Sequence, residues 1–322
     1  MSFTNTVPKE QKRKPNITEK SNKGFLSYLS RNKWFYIMLI PGLAALIVFH
    51  YIPMYGITMA FQDFNVVKGF FRSPWVGLRN FEYLLHSKEF YAVFRNSLLI
   101  SLYKLLWGFP VPILLAIMLN EIRNIYFKKT IQTVIYLPHF ISWVVLAGIV
   151  YQFLSPSTGI VNHIIKSFGG EPVAFLQQQK YFRSILVITD IWKGSGWGTI
   201  VYLAAIAGID ESLYEAALID GASRMQRIRY ITIPGIMSTI IVLLILRSGS
   251  ILRNGFEQVF LLYSPLVYDV ADVFETYTYR VGLQEGRFSY ATAVGMFQSV
   301  IGLLMIWTTN RLSRKFGEGG LW

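Results

Sequence analysis

Four ionisable residues fall inside or beside long apolar stretches of this 322-residue chain: Lys104, Asp190, Lys193 and Arg247. Such a side chain costs ~2.5–3.5 kcal/mol at the centre of a bilayer on insertion scales, so it commonly lines a polar path or pairs with another charge. Trp192 and Trp197 flank Lys193, and Arg253 and Asn254 follow Arg247. Flat aromatic faces beside hydrogen-bonding groups suit a sugar ring, whose C–H faces are apolar and whose edges are polar. Lys193, Trp197, Arg247 and Asn254 are therefore candidate substrate contacts. Lys193, Arg247 and Arg253 outnumber the one carboxylate near them, Asp190, and an arginine can grip a carboxylate bidentately, so the set favours an anionic ligand. Plainer readings stand beside this one. Asp190 and Lys193 are i,i+3 neighbours that can neutralise each other. Lys104 and Arg247 can snorkel outward, Trp197 can belong to an interfacial belt, and the cations can answer acidic residues on a partner.

No enzymatic constellation is present. His50, His86, His139 and His163 lack metal-ligand spacing, and the chain has no cysteine for thiol chemistry or disulfides. No G-x-x-x-x-G-K-[ST] loop occurs, so the chain cannot cradle ATP by itself. Catalytic residues and bound metals are not expected.

The elements that must position these groups are helices in a membrane. The sequence is 53% hydrophobic and 16% aromatic, the composition of an all-α polytopic membrane protein. Six spans are predicted, near 35–61, 97–120, 130–153, 184–207, 232–252 and 290–309. Each is long enough at ~1.5 Å per residue to cross ~30 Å of hydrocarbon. The glycines in Trp192-Lys193-Gly194-Ser195-Gly196-Trp197-Gly198 are expected to interrupt the fourth helix and free backbone groups for a polar cavity. A short external helix is expected near Leu78–His86, and 253–289 is the longest external connection.

The formal charge of +13 is concentrated in four places. Residues 1–33 carry Lys9, Lys12, Arg13, Lys14, Lys20, Lys23, Arg31 and Lys33; the 121–129 loop carries Arg123, Lys128 and Lys129. Arg224, Arg227 and Arg229 follow the fourth span, and Arg311, Arg314 and Lys315 follow the sixth. All four places fall on one side of a six-span topology, which is the positive-inside pattern with both termini cytoplasmic. The basic tail 1–33, with an interfacial helix from Gly24 to Lys33, reads as a topology signal and a contact for membrane lipids rather than a nucleic-acid arm. Residues 34–322 form the transmembrane domain. The first apolar run is too long for a cleavable leader and is expected to remain as an anchor in the cell membrane.

Between the fourth and fifth spans lies a polar loop, ESLYEAALIDGASRMQRIRYITIPG, residues 211–235. Ser212 and Glu215 have capping-box spacing, Gly221 stands where a left-handed residue would end a helix, and Pro234 can open the next one. Glu215-Ala216-Ala217, Gly221 and Ile231-Thr232-Ile233-Pro234 at these offsets resemble the EAA loop of binding-protein-dependent ABC importer permeases. Ile228 and Ile233 stand where Phe and Leu are more usual. Gly159-x-x-Asn162 and Phe61-Gln62-Asp63-Phe64 resemble the sugar permeases within that family. The run 267–295 resembles the lipoprotein-linked polysaccharide permeases of its maltose-type branch.

The resemblance implies a permease subunit for oligosaccharides. It would pair with a second, homologous permease, dock two ATPase subunits that hold ATP and Mg, and receive sugar from an extracytoplasmic solute-binding protein. Glu215, Ala216, Ala217, Gly221 and Pro234 would carry ATPase motion into the membrane. The cation excess adds the expectation of an acidic, uronate-containing oligosaccharide. The short external loops lack the large outer domain of the maltose-type relative. The rival reading is a self-sufficient secondary transporter or channel for a polar solute, which would need intramembrane carboxylates, and Asp190 is the one available. A membrane-embedded enzyme lacks its constellation.

Overall fold

The computed structural model describes residues 32–315, so the expected basic tail and its interfacial helix lie almost entirely outside the described residues. Two units are distinguished, dividing at Tyr55 and Gly56. In the first, α1 (Lys33–Leu46) runs on through a π turn at Ile47–Tyr51, and none of its side chains is buried.

The second unit is helical, with one isolated bridge between Gln62 and Trp75 and no strand among the described residues. After α2 (Arg79–His86), α3 (Lys88–Gly108) begins at Ser87, whose hydroxyl accepts from the Phe90 N–H at 3.3 Å. It leads at Phe109 into α4 (Pro110–Asn120), where Pro110 sits at the helix start and loses no hydrogen bond. The second span thus begins at Lys88, earlier than expected. Asn124 caps α5 (Ile125–Phe140), and Ser142 caps α6 (Trp143–Leu154). The third span is not one straight helix, because α5 and α6 meet at 104°. Then come α7 (Ile160–Ser167), the long α8 (Gln179–Ala207), α9 (Glu211–Ile219), α10 (Arg224–Arg227) and α11 (Met237–Gly249). The helices α12 (Phe256–Leu262) and α13 (Phe274–Tyr279), with a single helical turn at Tyr268–Ala271 between them, precede α14 (Phe288–Lys315).

Three helical runs are long and apolar enough to cross a membrane: Lys33–Phe61, Lys88–Asn120 and Phe288–Lys315. Two bent pairs, α5 with α6 and Arg224–Gly235 with α11, meet the same measure when each is taken as one span. The fourth expected span, α8, is 29 residues long, but the polar run from Asp190 to Thr199 keeps it below that apolar measure. It can afford the polarity because it packs against α3, α4 and α5.

The expected interruption of α8 does not occur: the helix runs unbroken through Gly194, Gly196 and Gly198. The glycines serve close packing instead. A Cβ at Gly196 would collide with the Ile135 carbonyl of α5, and one at Gly198 would stand 3.1 Å from Pro112 of α4. The break falls in α5–α6, where Pro138 and the capping Ser142 dictate it.

The 253–289 connection is packed into the bundle. Val259, Leu262 and Val273 pack with Leu146, Phe182 and Leu186, whereas Phe274 and Tyr277 join Phe90, Tyr290 and Val294. Asn162 fastens the 155–173 turn by donating to the carbonyls of Ser155 and Val173, each at 3.0 Å, and accepting from the Val173 N–H at 2.7 Å.

Gly196→Val should force α5 from α8 and lower the melting temperature of the detergent-solubilised protein by several degrees, overpacking costing ~1–3 kcal/mol. Gly194→Ala, where an added Cβ meets nothing within 4 Å, should not lower it. A thermal unfolding scan of the two variants decides.

Candidate functional site

The 211–235 loop folds as a short exposed helix and a turn. Its first cap is not Ser212 with Glu215. Asp210 takes the N-cap, its carboxylate accepting from the Ser212 N–H at 3.0 Å, which holds that carboxyl below its ordinary pKa. The helix begins two residues early, so Ser212 is already inside it and its hydroxyl is no longer placed to cap. The capping box sits instead at α10, where Ser223 and Gln226 bond reciprocally at 2.7 and 3.4 Å. Ser-x-x-Gln is as visible in the sequence as Ser-x-x-Glu. What decides is which serine has extended backbone.

Gly221 behaves as expected, with φ +76°. The Ala222 N–H bonds the Ala217 carbonyl at 2.8 Å and the Gly221 N–H bonds the Leu218 carbonyl at 3.1 Å. That pair of bonds is a Schellman motif and closes the end of α9. Pro234 does not open the next helix. It lies in the last turn before a bend at Ile236, after a π turn at Ile228–Thr232, and α11 starts at Met237. Proline lacks the N–H that the turn before it would bond, which accounts for the widened turn and the 56° bend.

No side chain of α9 is buried, and Glu215 and Ala216 are exposed. Leu213, Leu218, Ile219 and Met225 are exposed as well. One hydrogen bond ties α9 to the end of the loop, the Tyr214 hydroxyl lying 2.9 Å from the buried Thr232 hydroxyl, and Ile228 and Ile233 pack on the cluster of Ile117, Tyr202, Ile206 and Ile236. Sequence spacing gave no sign of the Tyr214–Thr232 pair, because 18 residues separate its members.

The second assembly is polar and internal. Lys104 of α3 is buried, 3.4 Å from the Asp190 carboxylate. It also donates to the Asn254 carbonyl at 2.8 Å and to Gln258 Oε1 at 2.5 Å. Arg247 of α11 reaches the other Asp190 oxygen at 3.5 Å. Asp190 therefore sits between two cations from neighbouring helices and makes no ion pair with Lys193. Lys104 does not snorkel. Gln258 donates to the Leu186 carbonyl and Thr189, at 2.7 and 2.8 Å. The Asn254 amide accepts from Ser101 and donates to the Ser97 carbonyl, and its N–H bonds Glu275 at 2.9 Å. Neither Gln258 nor Thr189 showed in the apolar pattern, because each pairs across the sequence rather than along a helix.

Beside this network lies a cavity of about 430 Å³, lined by Lys104, Asp190, Arg247, Arg253 and Asn254 among others. Of the expected substrate contacts the structure brings Arg247 and Asn254 here, and does not bring Lys193 or Trp197. Lys193 instead donates to the carbonyls of Pro138, His139 and Ile141, at the α5–α6 break, with Trp143 below its ammonium at 5.5 Å. Trp197 stacks on His139, centroids 4.7 Å apart and planes within 8°, with half its surface open. Among the described residues no group of three or more His, Asp or Glu could hold a metal.

A family model described as "binding-protein-dependent transport system inner membrane component" matches residues 108–318, from the end of α3 to just past α14. The chain belongs to this family. It is a transport permease, a membrane component of an ABC importer, and not an enzyme. Relatives in Bacillus subtilis extend the likeness over nearly the whole chain. Protein LplB is 45% identical, over 98% of this chain and 99% of its own length. The polygalacturonan/rhamnogalacturonan transport system permease protein YteP is 44% identical, over 94% and 95%. Among solved structures, a bacterial ABC transporter involved in the import of the acidic polysaccharide alginate superposes with a TM-score of 0.84 at 45% identity, over 90% of this chain and 98% of that one. An alginate transporter in complex with its alginate pentasaccharide-bound periplasmic protein gives 0.85 at 44%, over 92% and 99%.

The permease interior should not tolerate loss of its carboxylate. Asp190→Asn leaves Lys104 buried without its ion-pair partner and should cost roughly 3 kcal/mol, the low end for a broken buried pair because Asp190 keeps some exposure. Adding Lys104→Met should recover much of the lost thermal stability, read from the melting temperatures of the single and double variants.

Proposed function

We propose that this permease takes acidic, uronate-containing oligosaccharides across the cell membrane, as one of two related permeases above two ATPase subunits, and receives them from an extracytoplasmic binding protein. The observation that carries the substrate reading is the cavity at Asp190. Lys104, Arg247 and Arg253 face one carboxylate there, and Arg253 is exposed. Arg247 is half-exposed and only one of its sides meets Asp190, so its guanidinium keeps donors for a sugar carboxylate. The named substrates of YteP and of the alginate transporter point the same way. Asn254, saturated by its own bonds, serves as the cavity floor. Lys193 and Trp197 act on the route at the α5–α6 break, where the stacked Trp197 offers an aromatic face.

In this reading six spans cross the membrane. Five are the runs and bent pairs above, and α8 is the sixth, shielded from lipid by its neighbours. Both termini face the cytoplasm, with residues 1–33 as a basic tail on the lipid headgroups and 34–322 as the transmembrane domain. The cytoplasmic 211–235 loop then receives the ATPases. Ala216 and Ala217 let α9 seat closely in a groove, Glu215 offers a charge to a basic partner, and exposed Leu213 and Leu218 supply apolar contact. Movement of α9 reaches α11 through Gly221, the Tyr214–Thr232 bond and the bend after Pro234. ATP-driven closure would so switch the permease pair between inward- and outward-facing states.

Two measurements on the complete transporter in vesicles test this. Gly221→Val puts a β-branched residue at φ +76° and should leave ATP hydrolysis running while uptake falls at least ~10-fold. Normal uptake would remove the loop from the transmission path. Arg247→Gln should weaken uptake of an acidic oligosaccharide about tenfold more than that of its carboxyl-reduced analogue, given ~1.5 kcal/mol or more for a charge-assisted hydrogen bond. Equal loss for both sugars would favour a structural role for Arg247.

A further inference from the structure

A second cavity, of about 640 Å³, opens along the α3–α8 pair and is lined by Tyr103, Trp107, Lys180, Arg183 and Ile188 among others. Its chemistry is unlike that of a packing defect. The Arg183 guanidinium donates to Asn96 Oδ1 at 2.8 Å and to the Val270 carbonyl at 3.2 Å, both neutral acceptors. Arg95, exposed on α3, is the chain neighbour of the Asn96 that holds Arg183. Lys180, one turn before Arg183 on α8, rests over the Tyr181 ring at 5.4 Å. None of these three cations makes an ion pair among the described residues. One carboxylate is in reach of this end, Asp269, and it accepts from the Gln179 amide at 3.3 Å. A half-buried guanidinium among like charges and neutral dipoles is what an incoming anion would stabilise.

The aromatic residues add the second half of a sugar site. Trp107 is 62% exposed and lines the cavity with Tyr103, so a flat apolar face on the α3 wall stands across from the cations of α8. The cavity also has a direction. Along α8 it runs from Lys180 to Ile191, a rise of ~16 Å at ~1.5 Å per residue, and ends level with the Lys104–Asp190 pair. Its two walls are the helices that hold that pair.

We propose that Lys180, Arg183 and Arg95, with Tyr103 and Trp107, form a second saccharide subsite, which takes a uronate unit before it reaches the Arg247 cavity. This rests on the acidic-oligosaccharide reading and adds a place where the chain is held in extended form. A lipid phosphate would find the cations but would leave the ring faces unused, and for that reason the sugar is favoured.

The complete transporter is reconstituted in vesicles of zwitterionic lipid alone, and uptake of an acidic oligosaccharide is compared with that of its carboxyl-reduced analogue. Lys180→Gln and Arg95→Gln remove charges that make no hydrogen bond or ion pair among the described residues, so folding should survive. Arg183→Gln is the stronger but structurally riskier change. Each should raise the KM for the acidic sugar, Arg183→Gln by about tenfold, with a far smaller change for the reduced one. Trp107→Ala should raise the KM for both. Equal kinetics for wild type and Lys180→Gln on the acidic sugar would overturn the subsite. So would an effect that appears only when anionic lipid is added, which marks a headgroup site, or a complex that loses its second permease, which marks an interface. If the wild type does not prefer the acidic sugar at all, the substrate reading itself fails. If Arg247→Gln removes the preference and these variants do not, only the second subsite fails.

Discussion

Asp190 is the group on which the interior of this permease depends. Lys104 is buried, and in a low-dielectric setting an unpaired ammonium would cost several kcal/mol. The Asp190 carboxylate meets Lys104 with one oxygen and Arg247 with the other, and carbonyl and amide oxygens of the 254–258 turn take the remaining ammonium protons. Four segments, α3, α8, α11 and the start of α12, are thereby tied to one point. The polar composition of α8 follows from this. A helix that supplies the counter-charge at the centre of the bundle must be polar there, and it is tolerated because its neighbours cover it.

The broken third span obeys the same accounting for backbone groups. Ending α5 at Phe140 frees carbonyls that lipid cannot satisfy. Lys193 donates to three of them from the facing helix, and Ser142 caps the N-terminus of α6. Glycine at 196 allows the two helices to come close enough for that lysine to reach. Charge, backbone and close packing are thus satisfied together along a single stretch of α8.

Much of this was readable in the sequence, and the residues that were not share a cause. The helical class, the Gly221 turn and the short helix after Leu78 follow from local chemistry, where a residue's neighbours in sequence are its neighbours in space. The EAA spacing gave the family for the same reason. Partner choice was not readable. The i,i+3 spacing of Asp190 and Lys193 suggested a pair, yet both turn to other helices, because a partner across the bundle satisfies two desolvated helices at once. The glycines of 194–198 suggested an interruption, since the sequence shows what glycine permits but not what it packs against. Two serines had capping spacing, and only the backbone path before each one separates them.

The hold that Lys193 has on α5 is a contact with main-chain oxygens, not with side chains. Every residue type presents the same carbonyl, so His139 and Ile141 are free to drift without loosening this attachment, whereas position 193 is not. On the proposed sugar route, the aromatic lining of the break can in that way be rewritten over time to suit a different sugar, one ring at a time, while the break itself stays fastened by the one amine.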